Sequence, residues 1–167
     1  MASKQFHLMM FPWLAFGHMI PLLELSKKLA SKGIRVSFYF ATFVLRYFRN
    51  MNYNRNRRVD RAGLHVSFLN NYVNFGISID PVLAQVPSNL ANHLKFVEVL
   101  LPFVDGLPEN CQATIDLQLN QIQYLKKAFD GLQASFEKLV HEDLAYLILF
   151  DFIQCWIPGI ATKFGVP

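Results

Sequence analysis

Residues 5 to 40 alternate in a way that few folds accommodate: an apolar run, a helix-forming stretch, then a second apolar run. Gln5 to Phe11 is nearly all apolar and of strand length, and it leads into the loop Pro12-Trp13-Leu14-Ala15-Phe16-Gly17. A continuous apolar run suits a strand buried on both faces of a parallel sheet. The spacing behind it predicts a helix. Pro21 fits its first turn, Leu22, Leu25 and Leu29 recur along one face, Glu24 and Lys28 are spaced to pair, and Gly33 supplies the stop. Ile34 to Phe40, β-branched and aromatic, reads as a second strand. Strand, helix and strand within about 36 residues make a βαβ unit. The expected fold class is therefore α/β, a parallel sheet flanked by helices with a right-handed crossover.

The same stretch raises the membrane question, because Phe6 to Leu23 runs 18 residues without Asp, Glu, Lys or Arg. That length is at the lower edge for a span. Pro12, Pro21, Gly17, His7 and His18 interrupt it and no basic cluster follows, so no stable membrane span is expected. Lys4 ahead of an apolar run would also suit a signal peptide, but Ala15-Phe16-Gly17 is a poor cleavage site. With 53% hydrophobic and 17% charged residues in 167, the chain can build one domain with a core, and disorder is excluded. Two cysteines, Cys111 and Cys155, cannot build a disulfide framework, and no Cys or His pair has zinc-ligand spacing. They are expected to be core or inert, in a reducing, cytoplasmic compartment.

The net charge of +4 is localised. Arg46, Arg49, Arg55, Arg57, Arg58 and Arg61 share a segment with one acid, Asp60, which leaves 10 basic and 11 acidic residues elsewhere. Tyr47, Phe48 and Tyr53 are interleaved with these arginines, a composition suited to single-stranded nucleic acid. No RNA-binding motif accompanies it, so a solvated insert is the reading and no nucleic-acid partner is expected. Gly33-Ile34-Arg35-Val36-Ser37-Phe38 nearly repeats as Gly63-Leu64-His65-Val66-Ser67-Phe68, which suggests that residues 39 to 68 duplicate or interrupt an ordinary strand, inside an irregular insert over 39 to 84.

Prolines and glycines then punctuate a loop-like stretch, with a short helix predicted over Asn89 to Leu100. Ile122, Leu125, Phe129, Leu132, Phe136 and Leu139 follow helical spacing and predict one long amphipathic helix. His141-Glu142-Asp143 reads as a solvated turn, Leu144 to Phe150 as an apolar strand, and Trp156 to Phe164 as a helix closed by Gly165.

In open α/β sheets ligands bind beyond the carboxyl ends of the strands. Two ionisable residues fall there: His18, after the first strand and at the start of its helix, and Asp151, at the end of the strand that closes at Phe150. A helix N-terminus disfavours an imidazolium, which leaves a neutral ring to act as base. An aspartate on its other nitrogen would fix the tautomer and stabilise the cation formed after proton abstraction. From the residues alone, a structural hydrogen-bonding histidine and an aspartate capping the next segment fit as well. Dinucleotide and P-loop glycine motifs and the Gly-x-Ser-x-Gly elbow are absent.

Phe11-Pro12-Trp13-Leu14-Ala15-Phe16-Gly17-His18-Met19-Ile20-Pro21, Leu23-Glu24-Leu25-Ser26 and Gly33 to Phe38 together resemble the start of plant UDP-dependent glycosyltransferases. Leu101 to Glu109, Tyr124 to Asp130, and Phe150-Asp151-Phe152-Ile153-Gln154-Cys155-Trp156-Ile157-Pro158 resemble later blocks of the same family. The opening and the Asp-Phe-x-x-x-Trp block are most similar to the branch with rhamnosyltransferases and enzymes that extend a sugar on a flavonoid or triterpenoid.

The resemblance implies the N-terminal half of a GT-B fold, two facing Rossmann-like halves, with residues 1 to 167 as the acceptor-binding half. It implies His18 as the base on the acceptor hydroxyl, Asp151 as the acid that orients it, and Phe16, Gly17 and His18 as acceptor-lining residues. Transfer would invert the anomeric carbon, with a UDP-sugar as co-substrate and neither metal nor cofactor. A small-molecule acceptor is the implied partner, and a UDP-sugar only if a C-terminal half is supplied. The chain ends before the family's UDP-sugar signature, so the isolated chain is expected to be inactive, with an exposed apolar face where the other half would pack. The alternative expectation is a stand-alone acceptor-binding or RNA-contacting module without catalysis.

Overall fold

The computed structural model describes residues 6–43, 86–108, 111 and 113–167. Among them four strands form one sheet: β1 His7–Phe11, β2 Arg35–Phe43, β3 Leu94–Leu101 and β4 Leu147–Phe150. The pairings are all parallel, in the order β3-β2-β1-β4. Helices α1 Phe16–Ser31, α2 Ile122–Asp130, α3 Gln133–Asp143 and α4 Ile157–Phe164 flank it. This is the expected Rossmann-like architecture. The chain builds outward from β1 through β2 to β3 and then returns to place β4 on the other side of β1, so the strand order reverses beside β1.

The apolar run before the loop is explained by that central position, since all five residues of β1 are buried. Phe11 stacks on Phe129 of α2 and Phe136 of α3 at centroid distances of 5.0 and 4.7 Å. Tyr39 meets Phe136 on the same face, while Phe38 turns to the other face and meets Phe96 across β3.

Helix α1 ends as its sequence requires. Gly33 takes a φ of 80°, its N–H donates to the Ala30 carbonyl at 2.9 Å, and the Ile34 N–H donates to the Leu29 carbonyl at 3.2 Å. Only glycine reaches that conformation without strain. The helix starts earlier than its sequence suggests, at Phe16, so Pro21 lies inside it rather than in the first turn. The missing N–H of Pro21 faces the carbonyl of Gly17, an exposed residue where water can serve instead. Glu24 pairs with Lys27 at 2.5 Å, not with Lys28.

Three further expectations are corrected. Leu94–Leu101 is strand β3, not part of a helix over Asn89 to Leu100, and only Ser88–Leu90 makes a short 3-10 turn before it. Its buried residues, Leu94, Phe96, Val97, Val99 and Leu101, come from both faces of the strand, as a sheet covered on both sides requires. The long amphipathic helix is two helices, α2 and α3, broken at Gly131 and Leu132. A Cβ on Gly131 would lie 2.7 Å from Cγ of Pro102, so the loop after β3 packs closely against the chain at the break. His141-Glu142-Asp143 is the last turn of α3, and the strand that follows begins at Leu147.

Asp143 belongs to a buried network rather than to solvent. His7 Nδ1–H donates to the Asp143 carbonyl at 2.9 Å, Ser37 Oγ–H donates to His7 Nε2 at 2.8 Å, and the Tyr39 hydroxyl donates to Asp143 Oδ2. Burial holds His7 below the usual imidazole range, against the pull of the Asp143 carboxylate. Burial and then Asp143 push the Tyr39 phenol far up. Both rings are therefore neutral, and they tie the end of α3 to the start of β1 and the middle of β2.

Leu144 follows α3 with φ 46° and ψ 48°, a left-handed conformation that strains a leucine, and it is 81% exposed. Leu144→Gly is expected to stabilise the chain by about 1 kcal/mol, because it removes the strain and loses almost no burial. A thermal melt checks this, and a lower melting temperature would refute it.

The Arg46 to Arg61 segment and the near-repeat at Gly63 to Phe68 lie outside the described residues. Of the expected insert over 39 to 84, residues 39 to 43 are regular strand in β2, and the remainder lies outside the described residues. Among the described residues no helix is long and apolar enough to cross a membrane.

Candidate functional site

The site grows out of the place where the strand order reverses. β1 and β4 finish side by side, with Phe11 opposite Phe150, and each passes into a turn at the same end of the sheet. Pro12, Trp13 and Leu14 are buried, so the first turn is part of the core rather than a free loop. The Ala15 N–H donates to the Trp13 carbonyl and the Thr114 N–H to the Leu14 carbonyl, both at 2.8 Å. Trp13 packs edge-on against Phe129 at 5.0 Å. Helix α1 starts from this fixed base, and His18 is its third residue.

Asp151 is the first residue after β4, and the structure brings it to His18 across 133 positions of sequence. His18 Nδ1 lies 2.9 Å from Asp151 Oδ1, and the Trp13 N–H donates to Asp151 Oδ2 at 2.6 Å. A carboxylate accepts and does not donate, so Nδ1 carries the proton and Nε2 keeps its lone pair. The His18 side chain is 32% exposed and that of Asp151 16%, so the acid is shielded while the ring can be reached. Asp151 does not cap the following segment, since Trp156 is the residue at the start of α4. What the arrangement can do is accept a proton at Nε2 and share the resulting charge with a fixed carboxylate.

Phe16 is half-buried at the head of α1, and Gly17 is exposed with nothing within 4 Å of where a Cβ would stand. The space beside His18 is therefore open. Phe152 carries an exposed ring 6.1 Å from the His18 ring. Phe103, Ile115 and Leu119 are further exposed apolar residues in the loops on this end of the sheet. The Trp13 N–H and the buried Gln154, whose Nε2 donates to the Phe11 carbonyl at 3.1 Å, were not among the expected site residues. The one signal for Gln154 was a polar residue inside an otherwise apolar block.

Cys111 is buried and its thiol is pushed up to about 12, first by burial and then by the charge of Asp116. Cys155 is exposed, so it is not a core residue. Among the described residues no three His, Cys, Asp or Glu side chains gather as a metal site requires.

A parallel sheet in the order β3-β2-β1-β4 with flanking helices is the fold of the N-terminal domain of GT-B glycosyltransferases. Over 98% of the chain it superposes on 35% of a crystal structure of Arabidopsis thaliana UGT89C1 complexed with UDP-L-rhamnose, with a TM-score of 0.65 at 20% identity. In sequence the chain is 36% identical over 163 residues to UDP-glycosyltransferase 91D1 of Stevia rebaudiana, an alignment covering 98% of the chain and 26% of that relative. It is 30% identical over 165 residues to soyasaponin III rhamnosyltransferase of Glycine max, covering 99% of the chain and 28% of that protein. No protein-family model matches the chain. Over nearly all its length the chain is similar to the N-terminal portion of plant UDP-glycosyltransferases, and it spans about a quarter of the length of these curated relatives.

Proposed function

We propose that this chain is the acceptor-binding half of a UDP-dependent glycosyltransferase that transfers a sugar to a hydroxyl of a small plant metabolite or its glycoside, of flavonoid or terpenoid type. The observation that carries the proposal is the His18–Asp151 contact of 2.9 Å at the carboxyl ends of β1 and β4, with His18 Nε2 left to accept a proton. An acceptor hydroxyl placed at Nε2 gives up its proton to His18 as its oxygen forms a bond to the anomeric carbon. The bond from that carbon to the diphosphate breaks, UDP leaves with the electron pair, and the configuration inverts. Asp151 keeps the ring in the productive tautomer and stabilises the imidazolium. Phe16 and the open face at Gly17 line the acceptor's path, and apolar rings such as Phe152 suit an aromatic or polycyclic acceptor. On this reading the UDP-sugar is held by a C-terminal half joined to the chain.

The test is to join the chain to the C-terminal half of a relative and assay transfer from UDP-sugars to flavonoid and triterpenoid acceptors. The joined protein is expected to form a glycoside of inverted configuration and the isolated chain none. Retention of configuration would overturn the mechanism, and transfer by the isolated chain would overturn its assignment as a half-site.

A further inference from the structure

The turn that carries Asp151 is tied to the end of β1 by two side chains, and only one of them belongs to the pair described above. Asp151 Oδ2 accepts from the Trp13 N–H at 2.6 Å, and Gln154 Nε2 donates to the Phe11 carbonyl at 3.1 Å. The two bonds run in opposite senses between the same short segments, residues 11 to 13 and 151 to 154. Gln154 is fully buried, 143 positions from its acceptor, in a site built of apolar rings. Burying an amide there is costly unless it makes a specific bond.

Its backbone works in the other direction. The Gln154 carbonyl accepts from the N–H of Ile157, the first residue of α4, at 3.0 Å. Trp156, the residue before Ile157, packs against Phe11 at 6.2 Å and Phe136 at 5.5 Å, and its Nε1–H donates to Asp130 at 3.3 Å. Gln154 is thus the residue through which the fixed frame of α4 and β1 is passed to the four-residue turn that presents Asp151. Gln154 Oε1 is buried and has no hydrogen-bond partner among the described residues. An apolar side chain of the same length would fill the space without that unpaired oxygen, so stability alone does not account for an amide here.

We propose that Gln154 is a positioning residue for the His18–Asp151 pair, acting through Asp151 by holding the turn against the end of β1. This rests on the reading of His18 as base. Without the Gln154 bond the turn is free to shift relative to Trp13 and His18, and a misplacement on the order of 1 Å at reacting groups lowers rates by as much as about 10²-fold.

The first experiment needs no catalysis. In the 167-residue chain, nitrogen-15 NMR of the His18 ring is expected to show a single tautomer with the proton on Nδ1. In Gln154→Met, checked as folded by its amide spectrum, the ring nitrogens are expected to move toward the averaged values of a free imidazole. A folded Gln154→Met chain with unchanged His18 ring shifts would overturn the proposal. If that variant does not fold, hydrogen exchange in the unsubstituted chain decides. Slow exchange of the Gln154 side-chain amide, matching the β1 backbone, supports the bond, and free exchange overturns it. In the joined glycosyltransferase, Gln154→Met is expected to lower kcat by about tenfold with the acceptor KM nearly unchanged. An equal rise in KM with kcat unchanged would overturn the positioning role. If the joined protein transfers no sugar at all, the functional reading fails while the NMR result still stands for or against Gln154.

Discussion

His18→Ala in the joined glycosyltransferase is expected to cut transfer by about 10²- to 10⁴-fold, the range by which a positioned acid or base contributes. The loss should fall on kcat, because the ring presents one lone pair to the acceptor and the remaining lining residues still bind it. Asp151→Asn should come close to the same loss, for a reason set by hydrogen-bond chemistry. Both carboxylate oxygens accept, one from the Trp13 N–H at 2.6 Å, a donor that cannot reverse, and the other from His18 Nδ1–H at 2.9 Å. An asparagine has one acceptor to offer, so its amide nitrogen must face either the backbone donor or the ring. Facing the ring, it demands that Nδ1 become the acceptor and moves the proton to Nε2, which removes the base. Steady-state kinetics with one acceptor and one donor sugar check both variants. Full activity in His18→Ala would show that the histidine is a structural hydrogen-bonder, a reading that the residues alone leave open.

How much of this was legible follows from where each element gets its information. β1, β2 and α1 were readable because each carries its own signal: a run buried on both faces, β-branched and aromatic residues, and a glycine at a left-handed stop. β3 was not, since Leu94–Leu101 is embedded among turn residues and its identity as a strand depends on pairing with β2 along its whole length. The break between α2 and α3 was also hidden. The apolar spacing continues through Gly131 without interruption, and the close approach of Pro102 at the break comes from almost thirty positions earlier. His18 and Asp151 could be nominated as a pair, from the rule that ligands gather at strand ends and from the family resemblance. The residues alone left a structural histidine and a capping aspartate equally open, because the meeting depends on β4 lying beside β1 rather than at the sheet's far edge. The role of Asp143 was misread for the same reason: its partners His7 and Tyr39 come from β1 and β2, and no local pattern announces them.

Phe136→Ala is expected to be the most destabilising single change among these, at about 3–5 kcal/mol. The ring is fully buried and stands where three layers meet. It stacks on Phe11 of β1 at 4.7 Å, meets Tyr39 of β2 at 6.2 Å edge-on, and meets Trp156 at the start of α4 at 5.5 Å. Stacked and edge-on arrangements are both attractive, so the contacts add to the area removed from water. The surrounding groups are anchored to the sheet and to α4, so the cavity left by alanine cannot close. A chain of this size has about 5–15 kcal/mol of stability in all, and each kcal/mol moves its melting temperature by roughly 2–4 °C. A fall of about 6–20 °C is therefore expected in a thermal melt. Phe152→Ala is the control, because that ring is 83% exposed and its removal should change stability by no more than about 0.5 kcal/mol. Equal melting temperatures for the two variants would mean that α3 and α4 are not packed on the sheet through Phe136. The ring also bears on the site: Trp156 leans on both Phe136 and Phe11, and the turn bearing Asp151 lies between Phe11's strand partner and Trp156. A Phe136→Leu variant that recovers part of the stability should therefore also recover the single His18 tautomer, since what the ring supplies to the site is the fixed position of Trp156.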